Sequence, residues 1–121
     1  MSKNQKSPAS YFTDEELVKG VMSTAIARFV ASLQHDVEES NYQMDLAFVI
    51  VAELRSRGEE ALKKLLPILA HEDESIRLAA AWALLPTHPD EARPVIEEIA
   101  SKGFWSLAIE AQGILGRWDK N

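Results

Sequence analysis

Cysteine is missing from all 121 residues, which excludes disulfides and thiolate metal sites and fits a reducing compartment. Long apolar runs are missing too. None approaches the roughly 20 residues a membrane span requires, and Met1 to Ser10 has no apolar core of the kind a secretory signal carries. A cytoplasmic protein with no membrane contact is the default expectation. Basic residues are outnumbered, 13 against 19 acids, for a net charge of −6. Lys3 and Lys6 both lie in the leading tail, so the rest is more acidic still. Such a balance leaves no basic footprint for a phosphate backbone, and nucleic acid is not an expected partner.

Groupings that carry chemistry are equally scarce. His35, His71 and His88 each stand near an acid, but no pair has the i, i+4 placement with a third ligand that a helical zinc site needs. There is no Gly-rich strand–helix loop for a nucleotide phosphate and no nucleophile elbow. No catalytic residue, cofactor site or metal site is therefore assigned, and the chain is not expected to be an enzyme.

What the chain does have is helical periodicity from end to end. Residues 1–11 read as a disordered leader and 12–121 as a single domain. Thr13-Asp-Glu-Glu16 is a capping box, with Phe12 and Leu17 at the staple positions around it. It opens a helix with Leu17, Val21, Met22, Ala25, Phe29, Val30 and Leu33 on one side, running to about His35 or Asp36. Gly20 within it marks a weak turn or a close approach to another helix. After a polar break at Asp36–Asn41, a second helix shows Met44, Ala47, Phe48, Val51 and Leu54 at helical spacing, with Gly58 as its C′ residue. These two helices, residues 12–57, form an N-terminal pair longer than anything that follows.

From residue 58 onward the chain repeats. Leu62, Leu65, Leu66 and Leu69 give one buried helical face, with Pro67 set to bend it. After an acidic turn comes a helix rich in small residues, Ala79, Ala80, Ala81 and Ala83. A shift of about 30 positions lays Leu65, Leu66, Leu69 and Ala70 over Val95, Ile96, Ile99 and Ala100, and Ala81 to Leu85 over Ala111 to Leu115. The two copies, residues 58–87 and 88–118, are helix pairs too small to bury an apolar face alone, and such pairs stack into an α-solenoid. Pro89 suits the start of the second copy, Gly103 parts its helices, and Gly116 with Arg117-Trp118 ends it.

The stretch Ala61-Leu62, Leu65-Leu66 and Asp73-Glu-Ser-Ile-Arg77-Leu-Ala-Ala80-Ala81-Trp-Ala83-Leu84 resembles a HEAT-type repeat, with its Asp-x-x-Val-Arg turn and Ala-Ala-x-Ala-Leu continuation. Residues 53–103 are similar to an uncharacterised bacterial family of small HEAT-like domains. The resemblance implies an all-α, six-helix, right-handed α-solenoid, two helix pairs behind the longer N-terminal pair. In that pattern Asp73 or Ser75 caps the second helix, and Arg77 is placed to reach an acid on the adjoining repeat. Lys102 to Leu107 departs from it, with neither Asp nor Arg, as a capping repeat does.

A scaffold of this kind binds. The resemblance places Leu78 and Trp82 away from the repeat's own core, with Trp105 and Gln112 on the equivalent face of the last repeat and Glu72, Asp73 and Glu74 as an acidic rim. Aromatic anchors with a polar edge make a protein-binding site, and the acid excess favours a basic partner. The expected function is a non-catalytic protein-binding module, of the immunity type that occludes a basic toxin or effector domain. The alternatives are an enzyme or enzyme subunit similar to the HEAT-like lyases, which needs a ligand-sized pocket, and a structural homo-oligomer subunit.

Overall fold

The computed structural model describes residues 7–103 and 105–120, and every regular element among them is helical. The chain is all-α, and the described residues form six α-helices in the order α1 (Asp14–Leu33), α2 (Val37–Ser56), α3 (Glu59–Leu62), α4 (Glu74–Leu84), α5 (Pro89–Ala100) and α6 (Ser106–Asp119). It divides into two compact units, Met1–Lys64 and Leu65–Asn121.

In the first unit the capping box forms as the sequence predicts. The Thr13 hydroxyl accepts from the Glu16 N–H at 3.1 Å, and the Glu16 carboxylate accepts from the Thr13 N–H at 2.8 Å. The helix it starts packs along α2. Leu17, Val21 and Ala25 are buried, but Met22 and Phe29 are only half-buried, and Val30 and Leu33 are exposed. The expected single stripe is therefore two. At 100° per residue those seven positions spread over more of the helix than one antiparallel neighbour can cover. Gly20 is a close approach: a Cβ there would lie 2.9 Å from Ile50 Cδ1.

Helix α1 closes with a Schellman arrangement, in which the Asp36 N–H donates to Ala31 O and the His35 N–H to Ser32 O. The left-handed C′ position, usually glycine, is filled by His35 at φ 58°. The polar stretch expected to break the chain instead opens α2. The Asp36 carboxylate accepts from the Glu39 N–H at 3.0 Å, and Glu38 and Glu39 sit where the helix dipole favours acid. At the other end of α2, Gly58 takes φ 105°, as its C′ role requires.

Of the expected disordered leader, residues 1–6 lie outside the described residues. Pro8–Tyr11, by contrast, form a short 3-10 helix. Its anchor is Arg57, whose guanidinium donates to the carbonyls of Phe12 at 2.6 Å and of Ala9 and Ser10 at 3.3 Å. The same group pairs with Asp14 and Glu53, each at 2.8 Å. These contacts raise the Arg57 pKa and, through Arg57 first and Lys64 second, lower that of Asp14.

The division between the units falls inside a 3-10 segment, Lys63–Ala70, where the sequence predicts a bent α-helix. Pro67 lies within it and has no N–H to give, so a regular α ladder is not available there. In the second unit α4 packs against α5 and α6, and α5 against α6. Ala80, Ala81 and Ala83 are completely buried, the small residues that let helix backbones approach. Pro89 is the first residue of α5 and Gly103 turns at φ 90° before α6. That last helix runs through Gly116 to Asp119, one residue past the expected end at Trp118, with Asp119 held by Arg93 at 2.8 Å.

Arg57 bonds three carbonyls of the leader turn, so Arg57→Ala is expected to loosen it. Chymotrypsin should then nick native protein at Tyr11 or Phe12 several-fold faster than in wild type, with helical circular dichroism nearly unchanged.

Candidate protein-binding surface

The residues assigned to binding from the sequence lie in the second unit, and most have structural partners. Leu78 is a correction: it is 1% exposed and belongs to the core. Helix α4 is flanked by both α5 and α6, so it buries Ile76, Leu78, Ala81 and Leu84 on more than one side, and no outward face remains at Leu78. Trp82, one turn on, is half-buried. Asp73 is the N-cap of α4, its carboxylate accepting from the N–H groups of Ser75 at 2.9 Å and Ile76 at 3.2 Å. The Ser75 hydroxyl donates to the same oxygen, and these bonds hold the Asp73 carboxyl below its ordinary pKa.

Glu74 gathers the neighbours. Its carboxylate pairs with Lys102, accepts from the Trp105 indole N–H at 3.0 Å and lies 3.5 Å from Arg77. Burial pushes its pKa upward, but the bonds from Lys102 and Trp105 outweigh that and leave it below the ordinary glutamate value. Trp105 is therefore exposed yet tethered. The Gln112 amide donates to Ala100 O at 2.9 Å and Gly103 O at 3.1 Å, satisfying carbonyls left over where α5 ends. Arg77 turns back on the turn before α4, donating to His71 O at 2.8 Å and Glu72 O at 3.1 Å; the acid it lies beside, Glu74, is on its own helix. Glu72 stays exposed. The cluster ties α4 to the α5–α6 turn.

The surface that sequence reasoning missed is in the first unit, on the outward half of α2. Val37, Tyr42 and Phe48 are 68%, 57% and 53% exposed, Val49 is exposed beside them, and Glu38 and Asp45 lie among them. Phe48 shares its helical spacing with Met44, Ala47, Val51 and Leu54. Only Val51 and Leu54 are fully buried. The available signal was the surplus: Tyr42 and Val49 fall outside any single 100° stripe that also holds Val51 and Leu54.

At the tip of the α1–α2 hairpin a shallow cleft of about 210 Å³ is lined by Ser32, His35, Asp36, Val37, Ser40 and Asn41. It is smaller than the roughly 300 Å³ at which ligand pockets begin. Among the described residues no three His, Cys, Asp or Glu side chains are placed to hold a metal ion, and no helix is long and apolar enough to cross a membrane.

A family model described as Domain of unknown function (DUF2019) matches residues 15–119, from the first turn of α1 to the last residue of α6. The chain belongs to the DUF2019 family. A crystal structure of the protein RPA1889 from Rhodopseudomonas palustris CGA009 is similar over 96% of this chain and 96% of its own, with 24% sequence identity and a TM-score of 0.85. At that identity the likeness speaks for the fold alone. No curated protein matches the chain.

Two outcomes separate packing from binding in this cluster. Leu78→Ala is expected to cost about 2–5 kcal/mol of stability in chemical denaturation, as for other buried leucines. The contribution of Glu74 should depend on pH. Its folded pKa lies below the ordinary value of 4.5, so the stabilisation is complete above that pH and is lost as pH falls through the folded value. The melting-temperature gap between wild type and Glu74→Gln, open at neutral pH, should close in strong acid.

Proposed function

We propose that this DUF2019 chain is a non-catalytic protein-binding module of HEAT-like type that docks a basic protein on the outward half of α2. The observation that carries the reading is the mixture on that surface: exposed Tyr42, Phe48, Val37 and Val49 around acidic Glu38 and Asp45. Large aromatics in contact with solvent on one half of a helix leave apolar area unburied, and aromatic anchors inside a charged edge are the chemistry of interface hot spots. The acids add a preference for a partner of opposite charge and a dependence on salt. The mechanism is occlusion: a rigid helix face covers part of the partner, as an immunity-type protein covers an effector, and nothing on this chain reacts.

The lyase-type alternative calls for a deep ligand pocket, and the cleft at the hairpin tip is too small to favour it.

The test is a pull-down from lysate of the source organism with wild type, Tyr42→Ala/Phe48→Ala and Trp82→Ala, each checked first for unchanged helical circular dichroism. Wild type should retain a basic protein that elutes with raised salt, and the α2 variant should lose it. Trp82→Ala should keep it while melting at lower temperature. Retention by the α2 variant would remove the docking site from this face.

A further inference from the structure

The outward half of α2 has an order along the helix axis as well as a composition. Glu38, Tyr42, Asp45, Val49 and Ala52 follow one another at steps of four, three, four and three residues, the spacing of a helix-pairing seam. All five are exposed. At 100° per residue they form one narrow strip, about half a turn round the helix from buried Val51 and Leu54. Acid and apolar side chains alternate along it. Glu38 and Asp45 stand two turns apart, and so do Tyr42 and Val49 between and beyond them.

The acids have no answering charge on this helix. From Val37 to Leu54 α2 has no basic residue, and Arg55 falls more than a quarter turn off the strip. Neither Glu38 nor Asp45 forms an ion pair with another described residue. That arrangement discriminates between occupants. A second copy laid parallel on the strip would set Asp45 against Asp45 and Glu38 against Glu38, which repels. Laid antiparallel, it would cover each acid with Tyr42 or Val49 and take its water away with no cation in exchange. A cation facing each acid removes both objections, and the stem of a lysine or arginine can lie on the neighbouring apolar side chain.

The spacing names the element that brings those cations. Glu38 and Asp45 lie roughly 10.5 Å apart along the axis. A helix repeats one side at the same seven-residue interval. A strand repeats one side at about 6.6 or 13 Å and matches neither acid pair nor apolar pair. We propose that the partner docks by a single basic amphipathic α-helix laid along this strip, with lysine or arginine every seventh residue facing Glu38 and Asp45 and apolar side chains between them packing on Tyr42 and Val49. The proposal rests on α2 being the docking surface and adds what is docked there. The acids also fix the register, because a slip of three or four residues sets the partner's cations on Tyr42 and Val49 and its apolar side chains on the acids.

The probe is a synthetic peptide of three heptads with lysine at one seam position, leucine at the other, and alanine and glutamine elsewhere. It is titrated at concentrations where it is unfolded alone, by fluorescence anisotropy and circular dichroism. It should bind wild type and become helical in doing so, and a scrambled peptide of the same composition should bind about tenfold more weakly or worse. Glu38→Lys/Asp45→Lys changes two exposed positions and should keep the circular dichroism of the free protein. It should release the lysine peptide and take up the same peptide with glutamate in place of lysine. A wild type that ignores the lysine peptide, equal binding of the ordered and scrambled peptides, a bound peptide without helix, or a charge-swapped protein that still holds lysine would each overturn the helical occupant. The lysate pull-down reads the surface separately: a basic protein lost by Tyr42→Ala/Phe48→Ala, alongside any of those results, keeps the docking surface and removes the helix.

Discussion

A helix in an antiparallel hairpin has one side to give to its neighbour, and α1 carries apolar side chains on two. Leu17, Val21 and Ala25 go to the buried side. Ile26, Val30 and Leu33 go to water, where each forgoes part of the roughly 1.5–3 kcal/mol that full burial of such a side chain contributes. That loss is the central constraint on the first unit. It obliges the hairpin to draw cohesion from other sources: the close contact at Gly20 and Ile50, the two well-formed helix caps, and the charged group at its base.

Each unit is fastened by one multivalent charge. In the first, Arg57 binds two carboxylates and three carbonyls and so joins α1, α2 and the turn before them. In the second, Glu74 holds Lys102, Trp105 and Arg77. Simple surface ion pairs contribute little. These two contribute more because one planar group satisfies several partners that would otherwise need water, and because the partners come from distant points of the sequence. Both sit at helix ends, where unpaired backbone groups and dipoles are concentrated.

Much of the backbone was legible from the residues. The capping box at Thr13, the caps at Asp73 and Gly58, and the turns at Pro89 and Gly103 follow from chemistry that acts over three or four residues, and neighbours in sequence determine it. Long-range choices were harder. Nothing local shows that α4 is enclosed on two sides, which is why Leu78 was read as a surface residue. Nothing local shows that Lys102 and Trp105 come to Glu74, twenty-eight and thirty-one positions away. Apolar periodicity tells how many faces a helix could bury, and only packing decides how many it does. Phe48, Val30 and Leu33 keep the apolar spacing and stay exposed for that reason. His35 is a smaller case: a residue with a side chain occupies a left-handed site that usually signals itself as glycine.

Gly20 and Ile50 share one small volume, and that has a consequence for how the family can vary. The tightest atom against a side chain at position 20 would be Ile50 Cδ1, the one carbon that isoleucine has and valine lacks. An alanine at 20 therefore asks only the tip of Ile50 to turn aside, and a shorter side chain at 50 removes the contact altogether. The two sites form a neighbouring pair thirty residues apart, and the side chain at one sets the rotamers open to the other.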